Sequence, residues 1–431
     1  GIVSELTIFV ATDASVKFAV LKIKNQSGRA RKLSATGYWE WVLGELRAKN
    51  LMHVITEIDS TSGALLARNP FNTDFANRVA FVDVQEKFRL LTADRTEFLG
   101  RNGTTSNPIG LRRVRLSGAA GVGLDPCAAL QVPFELADEQ EREIVFRIGL
   151  GRDSNDAQIL IQRFRAPDAA RKALEQVWNY WNRTLGAVRV ETPDPAVNVL
   201  ANGWLLYQTL ASRLWARTGF YQSGGAFGFR DQIQDAMALI HSEPLLLREQ
   251  LLRAAAHQFR EGDVQHWWHP PMDRGVRTHF SDDFLWLPLA TCRYVFALGD
   301  TGVLDEMIPF LEGRPVKPDE ESYYDLPRRS VESGTLYEHC VRSINHGLKF
   351  GEHGLPLMGC GDWNDGMNLV GRHGQGESVW LAFFLYDVLN QFAELARRRG
   401  DDATVDKCTI EAGRLRGNIE EHGWDGAWYR R

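Results

Sequence analysis

The residues best suited to chemistry lie in a glycine-rich segment, GCGDWNDGMNLVG, at positions 359–371. Two carboxyl groups, Asp362 and Asp365, flank the indole of Trp363. A carboxyl group beside an indole, where water is scarce, acquires a raised pKa and can act as a general acid. Two other interpretations remain open: a calcium loop, although D-W-N-D-G lacks alternating ligands, and a structural Asx-turn.

A second polar segment, YQSGGAFGFRDQIQD at 221–235, places Arg230 and Asp231 directly after a run of glycines. Glycine lets the backbone approach a ligand closely. An adjacent Arg–Asp pair at the start of a helix can hydrogen-bond sugar hydroxyl groups from two sides. The alternative is an acidic first turn stabilised by the helix dipole, with Arg230 on the surface.

The segment 263–286 contains two adjacent tryptophans, Trp267 and Trp268, and two adjacent acids, Asp282 and Asp283. Adjacent residues cannot share one helical face, so one tryptophan is expected to face outward or into a cleft. The acids fit either an acidic helix start after an N-cap or a site for sugar hydroxyl groups. The histidines of this segment show no carboxylate–histidine pair at i, i+4, so no metal is predicted. The tail, EEHGWDGAWYRR at 420–431, again pairs tryptophans with acids.

Composition narrows the classes of function. The 431 residues carry a net charge of −5, which argues against nucleic acid as the main partner. The five cysteines lack CxxC spacing and are predicted to be buried thiols of a reducing compartment. No apolar run approaches the roughly 18 residues of a membrane span. Thirteen tryptophans provide flat faces that fill a core or stack on a ligand.

These residues need elements to position them, and the chain shows two patterns. Up to about residue 160, apolar residues alternate in short runs between turn signals, which predicts an antiparallel β-sandwich or barrel. From 166 onward the period is helical, and the chain opens on Gly1 and a strand, as expected for an excised domain. Helices are predicted at 166–185, 195–217, 230–241, 244–260, 282–297, 335–350 and 376–399. Polar and aromatic loops at helix ends favour an α-toroid or bundle with a carbohydrate site at one mouth.

At these motifs the sequence resembles the inverting glycoside phosphorylases of glycoside hydrolase family 94. The segments GFRDQIQDAMAL, EGDVQHWWHPP, RGVRTHFSDDFLWLP and GDWNDGMNLVGRHGQGESVW are similar to one branch, the phosphorylase-like C-terminal region of cyclic β-1,2-glucan synthases. The segments EWVLG, GALLARNPFN, DRTEFLGRNG and GLDPCAALQ are similar to the same branch.

The resemblance implies an α+β multidomain fold. It consists of an antiparallel β-sandwich at 1–163, a helical linker at 164–190 and the first part of an (α/α)6 barrel at 191–431. The helices of 191–431 amount to about half of the twelve that such a barrel needs. An exposed apolar patch is therefore expected, covered by further chain or by association.

The resemblance also implies roles for site residues. Asp365 would be the general acid. Trp363, Arg230 and Asp231 would line the subsite of the transferred glucosyl unit, and Arg217 would add a further arginine. Asp362, Trp267, Trp268, Asp282 and Asp283 complete the predicted substrate-binding set.

The implied reaction is phosphorolysis of β-1,2-glucan to α-glucose 1-phosphate, with inorganic phosphate as co-substrate and no cofactor. It would set chain length within a larger membrane-associated synthase on the cytoplasmic side of the inner membrane, with a homodimer as one arrangement. The sequence departs from cellobiose phosphorylases at Ala226 and Phe227, where those enzymes have an arginine near the phosphate. The family's phosphate-contacting His and Thr are expected after residue 431. A glucan hydrolase and a non-catalytic module that guides glucan cyclisation are the alternatives.

Overall fold

The computed structural model describes residues 1–215 and 225–431, which divide into one unit at 1–183 and a second at 184–431. The first unit is built mainly from antiparallel strands. They are β1 (Ile2–Val10), β2 (Val16–Asn25), β3 (Arg31–Glu40), β4 (Ile55–Ile58), β5 (Leu65–Arg68), β6 (Val79–Val84), β7 (Leu90–Asp94), β8 (Pro126–Leu136) and β9 (Glu141–Gly151). One sheet has the order β1-β2-β9-β6-β5-β4 and the other β3-β8-β7.

The six-stranded sheet is covered on both faces. Along β6, Val82 packs against residues of the three-stranded sheet, whereas Phe81 packs against two helices. Every residue of β6 is buried, which explains why the strand is apolar apart from Asp83, whose carboxylate pairs with Arg147 and Arg165. The helices of this part are α1 (Arg47–Asn50), α2 (Arg95–Leu99), α3 (Ser154–Arg165) and α4 (Ala169–Leu185). The predicted antiparallel sandwich is confirmed.

The second unit is mainly helical. Its helices are α5 (Pro195–Val199), α6 (Leu205–Gln208), α7 (Phe229–Met237), α8 (Pro244–Ala255), α9 (Trp286–Leu298), α10 (Leu336–Gly347), α11 (Val379–Arg399) and α12 (Asp402–Asn418). Helical backbone continues from Pro195 to Trp215 with a break at Asn202 and Gly203, where Gly203 has a φ of 109°. The predicted runs overlap α5 to α11, whereas α12 was not predicted.

Two small sheets within the helical unit were also not predicted. One consists of β10 (Phe227–Gly228), β11 (Gln265–His269), β12 (Arg274–Thr278) and β14 (Ser322–Asp325), and the other of β13 (Met307–Glu312) and β15 (Arg328–Thr335). Trp267 and Trp268 therefore lie on a strand, where neighbours point to opposite faces.

The helices α7 to α12 contribute to one apolar core, in which Ile233, Leu251, Leu289, Ile344 and Leu385 are buried. A helical unit thus follows the sandwich in the chain, and the twelve-helix barrel stays a prediction. Across 1–215 and 225–431, no helix is both long and apolar enough to cross a bilayer. The cysteines are buried free thiols: Cys127, Cys292, Cys340, Cys360 and Cys408.

Candidate active site

A buried guanidinium on α7 connects the polar segments singled out from the sequence. Arg230 is 5% exposed, and its Nη1 donates to Asp282 Oδ1 at 3.0 Å and to the backbone carbonyl of Asp362 at 2.9 Å. Its Nη2 donates to Asp365 Oδ1. The planar fork of donors suits such simultaneous contacts. Arg230 is therefore not the surface arginine of the alternative interpretation.

The acid pair that precedes α9 supports this guanidinium from within the core. Both carboxyl groups are buried; Asp282 Oδ2 accepts from Trp286 Nε1 at 3.1 Å, and Asp283 Oδ2 lies 2.8 Å from His266 Nδ1. Burial alone would lower the pKa of Arg230, but the two carboxylates raise it overall, so the guanidinium stays charged. Burial and the charge of Asp283 raise the pKa of Asp282, and Arg230 opposes that shift.

This geometry corrects the assignment of Asp282 and Asp283 to substrate binding. Their side chains are at most 2% exposed, so they contact Arg230 from the protein interior and present no oxygen to a ligand. Neither is a simple helix cap: Asp282 directs its oxygens at Arg230 and an indole.

Asp362 is likewise a buried anchor rather than a ligand-facing residue. Its carboxylate accepts from Ser378 Oγ at 2.7 Å, from the Asn364 N–H at 3.0 Å and from two nitrogens of Arg431 at 2.6 and 2.7 Å. Burial would raise the pKa of Asp362, but these donors lower it overall. The Asx-turn interpretation is confirmed here, since Asn364 Oδ1 also accepts from the Gly366 N–H at 3.0 Å.

Trp363 and Asp365 point outward from the same segment. Trp363 is 52% exposed, and its Nε1 donates to Gln234 Oε1 on α7 at 3.2 Å. The Asp365 side chain is 60% exposed while it pairs with Arg230. The expected water-poor environment therefore surrounds Asp362, whereas the candidate acid is open to solvent. The indole face and the carboxylate are both accessible to a sugar.

Asp231 lies in the first turn of α7 and is exposed, as both interpretations of this residue expect. Its carboxylate folds back over Gly228: a Cβ at that glycine would lie 2.6 Å from Asp231 Oδ2. The absence of a side chain at Gly228 therefore leaves room for this acid beside Arg230. Arg217, the further predicted arginine, lies outside the described residues.

The two tryptophans of β11 differ in their surroundings. Trp268 is 1% exposed and stacks on His257, with ring centroids 3.7 Å apart, so its predicted contact with substrate is wrong: the ring belongs to the core. Trp267 is half-buried and packs against His269 and Tyr324. Strand alternation separates the two rings, as expected from their adjacency.

Around Arg230, Asp282, Asp283, Asp362 and Asp365, which form one charge cluster, the sequence did not predict the roles of two further residues. His266 was considered only as a metal ligand, yet it pairs with Asp283 and stacks on Phe280, with centroids 4.4 Å apart. Burial opposes protonation of this imidazole, but the Asp283 carboxylate raises the pKa of His266 overall. Arg431 belongs to the tail whose acids and tryptophans stood out, but no pattern linked it to Asp362.

A cavity of about 680 Å³ adjoins the cluster. Phe280 and Ser281, which precede the acid pair, line it together with residues of the loop that follows Asp365. Its volume lies within the roughly 300–1,000 Å³ of small-ligand pockets. Arg230 and Asp365 are not among its lining residues, so the cavity neighbours the candidate acid without containing it. Within the described ranges, no group of three or more His, Cys, Asp or Glu is arranged to hold a metal ion.

Comparison with known proteins identifies the family. The family model described as "Glycosyl hydrolase 94 superfamily, catalytic domain" matches residues 180–431, and "Glycosyl hydrolase 94, supersandwich domain" matches 1–167. The chain belongs to the glycosyl hydrolase 94 superfamily. The supersandwich match covers the β-rich part of the first unit, and the catalytic-domain match covers the helical unit that carries Arg230 and Asp365.

The relatives that the chain matches include a synthase and several phosphorylases. Cyclic beta-(1,2)-glucan synthase NdvB of Rhizobium meliloti (strain 1021) is 42% identical over 96% of the chain, which spans 15% of that protein. N,N'-diacetylchitobiose phosphorylase of Vibrio furnissii is 27% identical over the whole chain and 55% of its own length. 1,2-beta-oligoglucan phosphorylase of Listeria innocua is 28% identical over 40% of the chain and 16% of its own length. The chain thus spans about half or less of the relatives it matches.

Proposed function

We propose that this member of the glycosyl hydrolase 94 superfamily performs inverting phosphorolysis of β-1,2-linked glucan. The observation that carries the proposal is the exposed carboxyl of Asp365, held by the buried Arg230 beside the exposed indole of Trp363. The names of two relatives, a cyclic beta-(1,2)-glucan synthase and a 1,2-beta-oligoglucan phosphorylase, support the choice of linkage.

The proposed reaction needs a single protein carboxyl group. Trp363 stacks against the terminal glucosyl unit, while Arg230 and Asp231 bind its hydroxyl groups. A phosphate oxygen attacks the anomeric carbon from the face opposite the leaving group, and the glycosidic C–O bond breaks. Asp365 transfers its proton to the departing oxygen of the shortened glucan. The products are α-glucose 1-phosphate and a glucan one unit shorter.

In this scheme sugar binding separates Asp365 from Arg230, because the two side chains are hydrogen-bonded in the free protein. A general acid must carry a proton when the glycosidic bond breaks. Glucosyl hydroxyl groups that accept from Arg230 replace Asp365 as its partner, and the freed carboxyl can then face the glycosidic oxygen. Asp282 and Asp283 stay with Arg230 throughout, so the guanidinium keeps its position.

We also propose that this reaction trims or extends glucan chains within a membrane-associated cyclic glucan synthase. Residues 191–431 would then form the first part of an (α/α)6 barrel. The relative of that name supports this setting.

Phosphate dependence tests the proposal. The protein is incubated with β-1,2-glucan, with and without inorganic phosphate, and the products are followed by ³¹P and ¹H NMR. We expect α-glucose 1-phosphate only when phosphate is present. Glucose release without phosphate would instead establish the hydrolase, and glucan binding without turnover would establish the guiding module.

Asp365→Asn supplies the catalytic test. Because this side chain is exposed, the melting temperature should hardly change, while loss of general acid catalysis lowers turnover about 10²–10⁴-fold. Asp406→Asn, an exposed acid on α12, is the matched control. Activity of Asp365→Asn within a few-fold of the unmodified protein would remove Asp365 from its assigned role.

A further inference from the structure

The segment that carries Trp363 and Asp365 is fixed at its first residue, Asp362. The backbone carbonyl of Asp362 accepts from Arg230 at 2.9 Å, and its carboxylate is 0% exposed. Arg431 donates to both carboxylate oxygens, at 2.6 and 2.7 Å. Ser378 donates to one of the same oxygens at 2.7 Å. Arg431 supplies the positive charge that balances this buried carboxylate.

Arg431 is itself held by a compact turn. Trp424 pairs with Tyr429 across this turn, and the Arg430 N–H donates to the Gly423 carbonyl at 2.8 Å. Asp425 Oδ1 accepts from the backbone N–H groups of Ala427 and Trp428, each at 2.9 Å. The guanidinium thus reaches Asp362 from backbone that has its own hydrogen bonds, and not from a loose tail.

The distance along the chain from Asp362 to Asp365 is short. Asn364 forms an Asx-turn that continues into a single 3-10 turn at Asp365–Met367, so a shift of Asp362 moves both Trp363 and Asp365. A bidentate guanidinium–carboxylate pair fixes direction as well as distance, which a single ammonium group cannot do. The Asp362 carboxylate is buried, whereas the Arg431 side chain is 42% exposed. Removal of Arg431 leaves the buried carboxylate without its cation, and the segment must rearrange to hydrate it.

We propose that Arg431 is a positioning residue: its bidentate pair with Asp362 sets the placement of Trp363 and Asp365 relative to Arg230. The catalytic consequence rests on the function proposed above, whereas the structural consequence does not.

The test compares three variants of the protein. Arg431→Gln removes the charge, and Arg431→Lys keeps the charge but loses the bidentate geometry. Arg430→Gln changes the adjacent exposed arginine and is the matched control. Amide hydrogen exchange of 362–368 is followed by mass spectrometry, together with kcat, KM and the melting temperature.

For Arg431→Gln we expect exchange at 362–368 to become about tenfold faster or more, with the sandwich unit unchanged. We expect kcat to fall about 10²-fold, since displacement of a catalytic group by about 1 Å has this effect. Arg431→Lys should recover part of both losses, and Arg430→Gln should match the unmodified protein. Arg431→Gln could speed amide exchange throughout the second unit, which would indicate general destabilisation. In that case Arg431→Lys is the deciding variant: a normal melting temperature with a reduced kcat supports the positioning role, and a normal kcat contradicts it.

Three results overturn the inference: exchange at 362–368 that is the same in Arg431→Gln as in the unmodified protein, equal losses in Arg430→Gln, or an unchanged rate of glucose 1-phosphate formation in Arg431→Gln. If the unmodified protein forms no glucose 1-phosphate while Arg431→Gln still loosens 362–368, the proposed function fails and the positioning role stands. If glucose 1-phosphate forms at an unchanged rate in Arg431→Gln, the function stands and the positioning role fails.

Discussion

At the scale of single residues, the site consists of three carboxylates around one guanidinium. Arg230 faces Asp282, Asp283 and Asp365, and of these only Asp365 is open to solvent. The two buried acids cannot exchange Arg230 for water, so they fix it. Asp365 can exchange its partner for a ligand, as its proposed role as general acid requires.

Replacing Arg230 by Ala should destabilise the second unit strongly. The change leaves Asp282 and Asp283 buried without a cation on that side, and breaking a buried pair typically costs about 3–5 kcal/mol. Urea denaturation followed by circular dichroism measures the free energy of unfolding. Asp231→Ala, which removes an exposed acid of the same turn, should cost far less. Equal stabilities for Arg230→Ala and the unmodified protein would show that the pair is not energetically important.

The His266–Asp283 pair makes stability depend on pH. Because the pKa of His266 is raised in the folded state, its contribution is complete below the unfolded value of about 6.5 and is lost as pH rises through the folded pKa. We therefore expect the stability difference between the unmodified protein and His266→Gln to be larger near pH 6 than near pH 9. Denaturation curves at both pH values measure it. His269→Gln, in which the replaced imidazole meets Tyr324 rather than an acid, is the matched control.

At the scale of elements, the sequence patterns identified the sandwich strands and most helices of the second unit, but not its small sheets. β11 contains two tryptophans between histidines, so its apolar residues do not alternate, and period two is hidden. Trp268 is apolar and buried, and Trp267 is apolar but half-buried among polar rings. α12 was not predicted, although its buried residues Cys408, Ala412 and Leu415 have the i, i+4, i+7 spacing of a helical face. Cysteine and alanine are small, so the apolar stripe is weak among the charged residues.

Gly359 joins two elements of the site, and its substitution should disturb both. It has a φ of +65° and bridges Phe280, and a Cβ there would lie 1.9 Å from the His279 carbonyl oxygen. Left-handed backbone alone costs about 1–2 kcal/mol for a residue with a side chain, and the clash with fixed backbone adds to this. We expect Gly359→Ala to lower the melting temperature and turnover together.

Gly374 provides the control for that substitution. It has a similar φ of +71°, but a Cβ there would meet nothing within 4 Å. Gly374→Ala should therefore show only the backbone cost of about 1–2 kcal/mol. If the two alanine variants melt at the same temperature, the close approach of Gly359 to the 278–281 segment does not matter for stability.

At the scale of the whole molecule, the motifs predicted which segments would contribute to the site but not which of their side chains would be buried. Arg230 pairs with Asp365, two residues after Trp363, whereas Asp282, Asp283 and Asp362 are buried supports. Exposure depends on contacts between distant segments, such as Arg431 with Asp362, and residue type alone cannot show which of several acids those contacts cover.

The segment from Pro195 to Gln208 makes a prediction about assembly. Five large apolar side chains within it are at least 43% exposed: Val197, Val199, Leu200, Trp204 and Leu205. Ordinary monomers rarely expose extended apolar patches, and such patches bind other protein surfaces. We expect the 431-residue chain to self-associate, with a sedimentation coefficient that rises with protein concentration.

Replacing Val199 by Lys and Leu205 by Glu should suppress this association, because charged side chains resist removal from water. Leu245→Glu is the control, since Leu245 is 67% exposed on α8 and lies outside the segment. The double variant should sediment as a monomer, whereas Leu245→Glu should behave like the unmodified chain. A chain that is monomeric at every concentration before any substitution would show that this apolar segment needs no partner.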